Sequence, residues 1–512
     1  MPLALLLAVL YVLAQANPLA SLPSLDSGNY LYVARQLLNG KLLYVDVWNH
    51  KTFAGYYLNA LGLLLSNGNR WGIWMFEFLF VYGASLLAWR VASQVWGKAA
   101  AAVGTLFWLG FLNVTLQGGN LTEEYALFFN FYAFWQFYRW QKQPGQISLP
   151  AWLIFGALTG VNFFIRPNNI GGSVSVALAV LVLGLLQRDG RMVLRIGLAA
   201  FAGFAVVVGA SLAFFAWQGN LQQMLDSSLL YNVYYTGEHY NTGVMLRNSV
   251  RIFGWGLVLP LAGYATLAWQ AIRGQRSPFV VLGLIALPLE VWLSSLSGRG
   301  YTHYFMTWLP TFGLLVAAAW ASLAPAIFSQ KTQDALARAP WLLIAIAALA
   351  NAGAVAEKTQ LYLLSADRLL VNRAAGVQLV NPISEYLQHN TEPNEKVFVW
   401  GADAGINFLA QRDAHTPFLR YPLMVDSPIT GDMAGLFYQD LTTNPPTYIV
   451  DLYSRNYDNI LSLTADIRED QLASGKPFNG VPGNIDEVLA FIDAHYTLEK
   501  NIGKVNVYRY HP

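Results

Sequence analysis

The 512-residue chain contains no cysteine, so a disulfide framework, a thiolate nucleophile and a thiolate zinc site are all excluded. Charge is scarce as well. Asp, Glu, Lys and Arg together make up 12% of the residues, about half the share of an average soluble domain, which argues against a water-soluble globule. The balance is a formal +2 with no concentrated basic face, so a nucleic-acid partner is not expected. Neither Gly-x-Gly-x-x-Gly nor Gly-x-x-x-x-Gly-Lys-Ser/Thr occurs, which removes the usual nucleotide-cradling loops. Intrinsic disorder is excluded by the opposite property, a mean hydropathy of +0.37 with 55% apolar residues. What is abundant is aromatic: 17 Trp and 27 Tyr suit a protein with many membrane–water boundaries.

Apolar stretches of about 17–25 residues recur as far as about residue 355 and then stop. About eleven spans are expected, near 2–17, 71–92, 99–117, 123–140, 150–165, 170–187, 193–217, 250–272, 278–297, 304–324 and 340–356. The first lacks the charged start and cleavage site of a signal peptide and is read as a span. Every short loop expected on one side is basic: Arg90 and Lys98, Arg139 and Lys142, Arg188, Arg191 and Arg195, Arg273 and Arg276, Lys331 and Arg338. By the positive-inside rule that side, with the N-terminus, is cytoplasmic. The other side collects the acids Asp26, Asp46, Glu123, Glu124, Asp226 and Glu238. The expected architecture is mainly α: a polytopic transmembrane helical bundle over 1–356, with juxtamembrane helices in an outer loop at 18–70. A small extracytoplasmic α/β domain over 357–512 completes it. In that domain 396–400, 447–451 and 504–509 read as strands, and 484–495 as an amphipathic helix.

The outer loop is too patterned to be a passive connector. Ser24, Asp26 or Ser27 caps a helix whose apolar stripe is Tyr30, Val33, Ala34, Leu37 and Leu38, ended by Asn39-Gly40. Asp46, His50 and Lys51 follow, and then an apolar helix over 53–65.

This loop resembles that of the GT-C superfamily, integral-membrane glycosyltransferases that use polyprenyl-phosphate sugars and include the aminoarabinose and protein mannosyl transferases. The family pattern is Asp-Glu-Gly-x-Tyr-x-x-x-Ala-Arg-x-Leu-x-x-Gly followed by a Lys-Pro-Pro-Gly-like element. The chain matches it at Asp26, Gly28, Tyr30, Ala34, Arg35, Leu37 or Leu38, Gly40, Lys51 and Gly55. It departs at Ser27, where Glu is usual, and at Thr52-Phe53, where prolines would stand. Further along, Thr122-Glu123, Arg166-Pro167, Tyr231-Asn232 and Arg299-Gly-Tyr-Thr-His303-Tyr304 occur in the family order.

The resemblance implies an inverting glycosyltransferase that moves a sugar from a polyprenyl-phosphate carrier to an acceptor hydroxyl on the outer face of the cell membrane. Such a transfer needs a base for the acceptor proton, cations for the departing phosphate and an apolar groove for the lipid. A carboxylate suits the first role, and Asp26 is the candidate catalytic base. Guanidinium and ammonium groups suit the second: Lys51, Arg299 and Arg166 are the candidate phosphate ligands, with Arg35 the weaker choice of a structural pair. Substrate-binding candidates are Glu123, Glu124, Tyr30, Tyr231, His303 and Asp46, although an acid in a first helical turn also suits the helix dipole and an aromatic near an interface also serves as an anchor. Tyr234, Tyr235, His239 and Tyr240 share the outer segment of Tyr231. Asp403 is read as a helix cap, with acceptor recognition as the alternative. No cofactor is expected. A divalent metal is left open, because the first outer loop lacks the Asp-x-Asp of metal-dependent oligosaccharyl transferases. A transporter or flippase of a lipid-linked precursor is the alternative function, and its mark would be a polar path through mid-span instead of acids in outer loops. In the enzyme, Asp26, Lys51 and an outer arginine are expected at one cavity open to lipid.

Overall fold

The computed structural model describes residues 1–143, 146–237, 241–371, 376–423, 425–452, 460–475, 478 and 483–512. Glu238, His239 and Tyr240 therefore lie outside the described residues. Contacts divide the chain into two compact units, one of residues 1–21, 73–213 and 239–377 and one of residues 22–72, 214–238 and 378–512.

The first unit is helical. Among the described residues six helices are long and apolar enough to cross a membrane, which marks the chain as an integral membrane protein: Trp71–Trp96, Lys98–Thr115, Gly190–Gln218, Thr242–Ile272, Pro278–Ser295 and Thr302–Ile327. Pro2–Ala16, Leu149–Ile165 and Gly171–Gln187 are apolar but shorter. The stretch expected as one span over 340–356 is divided at Asn351 into Trp341–Ala350 and the start of Ala352–Ala366, and Trp341–Ala350 is itself bent by 89° from the preceding Gln330–Arg338. Thr122–Lys142 is long enough, yet it buries Glu123, Glu124, Asn130 and Gln136 against its neighbours. Polar groups buried inside a bundle lower a helix's mean hydropathy without being exposed to lipid. The core is aromatic, with Trp108, Phe131, Phe134, Phe137, Trp308 and Phe312 all nearly inaccessible.

The second unit is α/β. Its sheet has the order β1-β2-β4-β3, from β1 (Val397–Trp400), β2 (Tyr448–Asp451), β3 (Tyr496–Ile502) and β4 (Val505–Tyr510). β1 and β2 run parallel and the other pairs antiparallel. Successive residues of β1 enter different cores, Val397 and Val399 on one face, Phe398 and Trp400 on the other. That is why this strand reads as an unbroken apolar run.

Helix Leu25–Leu38 belongs to this unit. Ser24 is its N-cap, accepting from Ser27 N at 3.4 Å, so of the three capping candidates the serine before the helix takes the role. Arg35 donates to the carbonyls of Asn407, Phe408 and Arg412 and to Asp413 Oδ1 at 3.1–3.2 Å, a structural clasp onto helix Ala404–Ala410. Although burial alone would raise its pKa, Asp413 is held below the usual carboxylate range by Gln36 and Arg35. The motif glycine explains itself here. A Cβ on Gly28 would stand 2.6 Å from Gly405 Cα, so the two helices touch backbone to backbone. Helix propensity favours alanine over glycine by about 1 kcal/mol, whereas overpacking costs about 1–3 kcal/mol. The clash should win: Gly28→Ala is expected to lower the thermal unfolding midpoint, and an unchanged or higher midpoint would contradict this packing.

His415 sits edge-on between Phe398 and Phe437, with ring centroids 5.1 and 5.7 Å away, and neither of its ring nitrogens has a hydrogen-bond partner among the described residues. Burial pulls its pKa down to about 3. An unfolded imidazole titrates near 6.5, so between about pH 6.5 and about 3 the unfolded chain binds more protons and stability falls as pH falls. The unfolding midpoint of the wild type should therefore drop further between pH 7 and pH 5 than that of His415→Leu. Equal slopes would contradict the buried, neutral imidazole.

Candidate functional site

Within the second unit, the carboxylate and the lysine singled out by the sequence form an ion pair. Lys51 Nζ lies 2.7 Å from Asp26 Oδ1, and both side chains are about a quarter exposed. The ammonium also stands over the Tyr30 ring, 4.6 Å from its centroid, which adds a cation–π attraction. Asp26 lies in the first turn of its helix, where the dipole favours negative charge.

The backbone that carries Lys51 is pinned on both sides. Tyr44 Oη donates to Lys51 O at 2.8 Å, and Asn232 Nδ2 donates to the carbonyl of His50. Asn220 Nδ2 holds Leu43 O at 2.9 Å, and Trp48 Nε1 donates to Ser227 Oγ at 2.9 Å. Tyr231 is buried, edge-on to Trp48 at 5.3 Å and beside the His50 ring at 5.5 Å. The Tyr231-Asn232 pair of the sequence thus braces the lysine loop. Asp46 is exposed and closes a surface turn, its Oδ2 accepting from Leu42 N at 2.7 Å. Tyr56 was not singled out by sequence. It packs on Tyr30 with ring centroids 5.4 Å apart, feels the charge of Asp26, and its buried hydroxyl has no hydrogen-bond partner among the described residues. Only its place in the apolar helix Ala54–Leu65, as one of two adjacent tyrosines, could have flagged it.

The first unit has its own charged constellation. Arg166 Nη1 donates to Glu123 Oε1, and its guanidinium lies 4.3 Å from the centroid of the Tyr304 ring. Glu123 is buried, with Thr122 Oγ1 donating to its other oxygen at 3.0 Å. His303 stacks on Tyr301 and meets Tyr304 edge-on, and its Nδ1 is 3.0 Å from Gln117 Oε1. Arg299 is half-buried in the turn before it. Glu124 is fully buried, and its Oε2 accepts from Asn120 N at 3.0 Å. The same N–H also meets Glu77 Oε1, from an acid hidden in an apolar span and missed by the sequence reading.

Arg166 is presented by a helix break, Pro167–Asn169, between Leu149–Ile165 and Gly171–Gln187. Freed backbone groups inside a bundle need partners, and buried amides supply them. Asn130 Nδ2 and Asn162 Nδ2 both donate to Asn169 O, at 3.0 and 3.2 Å, while Gly172 N donates to Asn130 Oδ1 at 3.1 Å. Polar residues that look incidental in an apolar sequence therefore hold the arginine's loop in place. Among the described residues no group of three or more His, Cys, Asp or Glu could hold a metal ion.

The chain is similar to several known proteins. An undecaprenyl phosphate-alpha-4-amino-4-deoxy-L-arabinose arabinosyl transferase of Pseudomonas fluorescens is 26% identical over 285 residues, which is 52% of this chain and 49% of that protein. The chain thus spans about half the length of the curated relative it matches. Among solved structures, ArnT from Cupriavidus metallidurans bound to undecaprenyl phosphate superposes with a TM-score of 0.60 at 14% identity, covering 99% of this chain and 97% of that one. Its apo state gives the same values. The apo oligosaccharyltransferase of Archaeoglobus fulgidus follows at a TM-score of 0.50 and 14% identity, over 88% of this chain and 69% of its own. The resemblance to the GT-C superfamily stands, and the fold is that of its members. A model of the competence-induced protein Ccs4 N-terminal domain matches residues 3–333, well over half the chain, and the protein belongs to that family.

Proposed function

We propose that this chain is a glycosyltransferase that moves a sugar from a polyprenyl-phosphate carrier to an acceptor hydroxyl on the outer face of the membrane, with inversion at the anomeric carbon. The observation that carries the reading is the Lys51–Asp26 pair, a base candidate joined to a phosphate-binding cation at 2.7 Å. An ion-paired carboxylate is a poor base, because the neighbouring charge stabilises its ionised form. An arriving phosphodiester changes this. Lys51 exchanges the carboxylate for phosphate oxygens, and Asp26, relieved of that neighbouring charge, becomes the better proton acceptor.

The acceptor oxygen then attacks the anomeric carbon. Its proton passes to Asp26, the bond from that carbon to the phosphate oxygen breaks, and the electron pair leaves on polyprenyl phosphate. Lys51, Arg166 and Arg299 are the cations assigned to the phosphate, where charge builds as the bond breaks. Glu123, Tyr30, Tyr231 and His303 are assigned to holding these cations and the sugar in place. Glu124 has the same standing through the 116–121 turn, and Asp46 as a contact at the rim. The resemblance to lipid-dependent transferases and the separation of basic from acidic loops support the reading. Purified full-length protein in proteoliposomes tests it. Given polyprenyl-phosphate sugar and an envelope-glycan extract, it should yield a glycosylated acceptor whose linkage has the opposite anomeric configuration to the donor. Retained configuration would overturn the single displacement.

A further inference from the structure

The parallel strands of the second unit end at a cavity of 620 Å³, within the range of small-molecule sites. Its walls are apolar, from Leu22, Leu25, Ile383, Ile406 and Leu452, and the one charged side chain among its lining residues is Asp403. Gly401 follows β1 and Leu452 follows β2, so the cavity occupies the carboxyl end of the parallel pair, where open α/β sheets receive ligands.

Asp403 does two things at once. Oδ1 caps helix Ala404–Ala410, accepting from Gly405 N at 3.1 Å. Oδ2 has no hydrogen-bond partner among the described residues, and no ion pair reaches this carboxyl. Burial with only one backbone donor for company pushes its pKa up to about 6. A carboxylate so placed is short of a cation. The backbone leading to it is constrained, since Ala402 holds a left-handed φ of +65° that costs a non-glycine residue energy. A second polar group opens on the same space. Asn381 uses its oxygen to cap Ser384 N at 2.6 Å, which leaves its amide nitrogen as a donor at the rim.

We propose that this cavity binds a ligand with a protonated amine on an apolar body, the ammonium seated on Asp403 Oδ2 and the body against the leucine and isoleucine walls. The site goes beyond the transfer reading and does not rest on it, because its test is binding alone. Leu25, in its wall, precedes Asp26 in the chain, so a ligand seated here reaches the first turn of the helix that carries the proposed base.

The experiment titrates the full-length protein in lipid nanodiscs with n-octylammonium, n-octanol and n-octanoate, subtracting empty discs. A charge-assisted contact to Asp403 should make n-octylammonium bind at least about tenfold tighter than n-octanol, with n-octanoate the weakest. Asp403→Asn keeps an oxygen for the Gly405 cap, so it should leave n-octanol binding intact and erase the preference. Ile383→Trp, which fills the cavity, should remove binding of all three. Equal affinities in the wild type, a preference that survives Asp403→Asn, or binding undiminished by Ile383→Trp would each overturn the proposal. Should Asp403→Asn fail to fold, the wild-type series and the filled cavity still decide.

Discussion

Asp26→Asn is expected to lower turnover at least about a hundredfold while leaving the donor KM within a few-fold, because general-base catalysis contributes roughly 10²–10⁴ and the amide cannot take the acceptor proton. The substitution is close in shape, and the carboxylate it removes is a quarter exposed, so the fold should survive. Lys51 keeps the Tyr30 ring as a neighbour at 4.6 Å and stays near its place. With the carboxylate's charge removed, the lysine should bind phosphate at least as well as before. A large rise in donor KM with unchanged turnover would instead make Asp26 a holder of Lys51 and not a base.

The second large effect concerns Arg166, whose buried partner complicates any single change. Arg166→Gln strands the Glu123 carboxylate, and removing one member of a buried pair costs about 3–5 kcal/mol. The protein should lose stability and the donor KM should rise at least about tenfold, since the guanidinium is a proposed phosphate ligand. Pairing and phosphate binding separate in the double variant. Arg166→Gln with Glu123→Gln removes the stranded charge and should recover most of the unfolding midpoint, while the donor KM stays high. Recovery of both together would assign Arg166 a structural role only.

The sequence announced the second unit more fully than the first. The apolar stripe from Tyr30 to Leu38 appears as helix Leu25–Leu38, the strands expected at 396–400, 447–451 and 504–509 are β1, β2 and β4, and the helix at 484–495 is Ile485–His495. β3 escaped notice because five of its seven residues face solvent and offer no apolar alternation. It forms by pairing with β4 across the turn at Gly503, whose φ is +65°. The capping reading of Asp403 holds, yet a cap uses one oxygen and sequence is silent about the other.

In the first unit, hydropathy located most helices but could not rank them. Thr122–Lys142 carries buried acids and amides, and the stretch after residue 330 folds back as a bent pair. The candidate residues were legible as types, Asp26 and Lys51 most clearly. Their supports were not, because they come from far along the chain: Asn232 for His50, Asn130 for Asn169, Glu77 for Asn120. A lone polar residue in an apolar run carries no local mark of the backbone it will satisfy.

Sugar transfer breaks a bond to phosphate and leaves the lipid behind. It is tested most directly by donor carrying one label in the sugar and another in the polyprenyl chain, presented in proteoliposomes with an acceptor. The wild type should release one equivalent of labelled polyprenyl phosphate for each sugar transferred, and Asp26→Asn almost none. Labels that cross the bilayer together, still joined, at the same rate in both proteins would contradict it and point to a transporter.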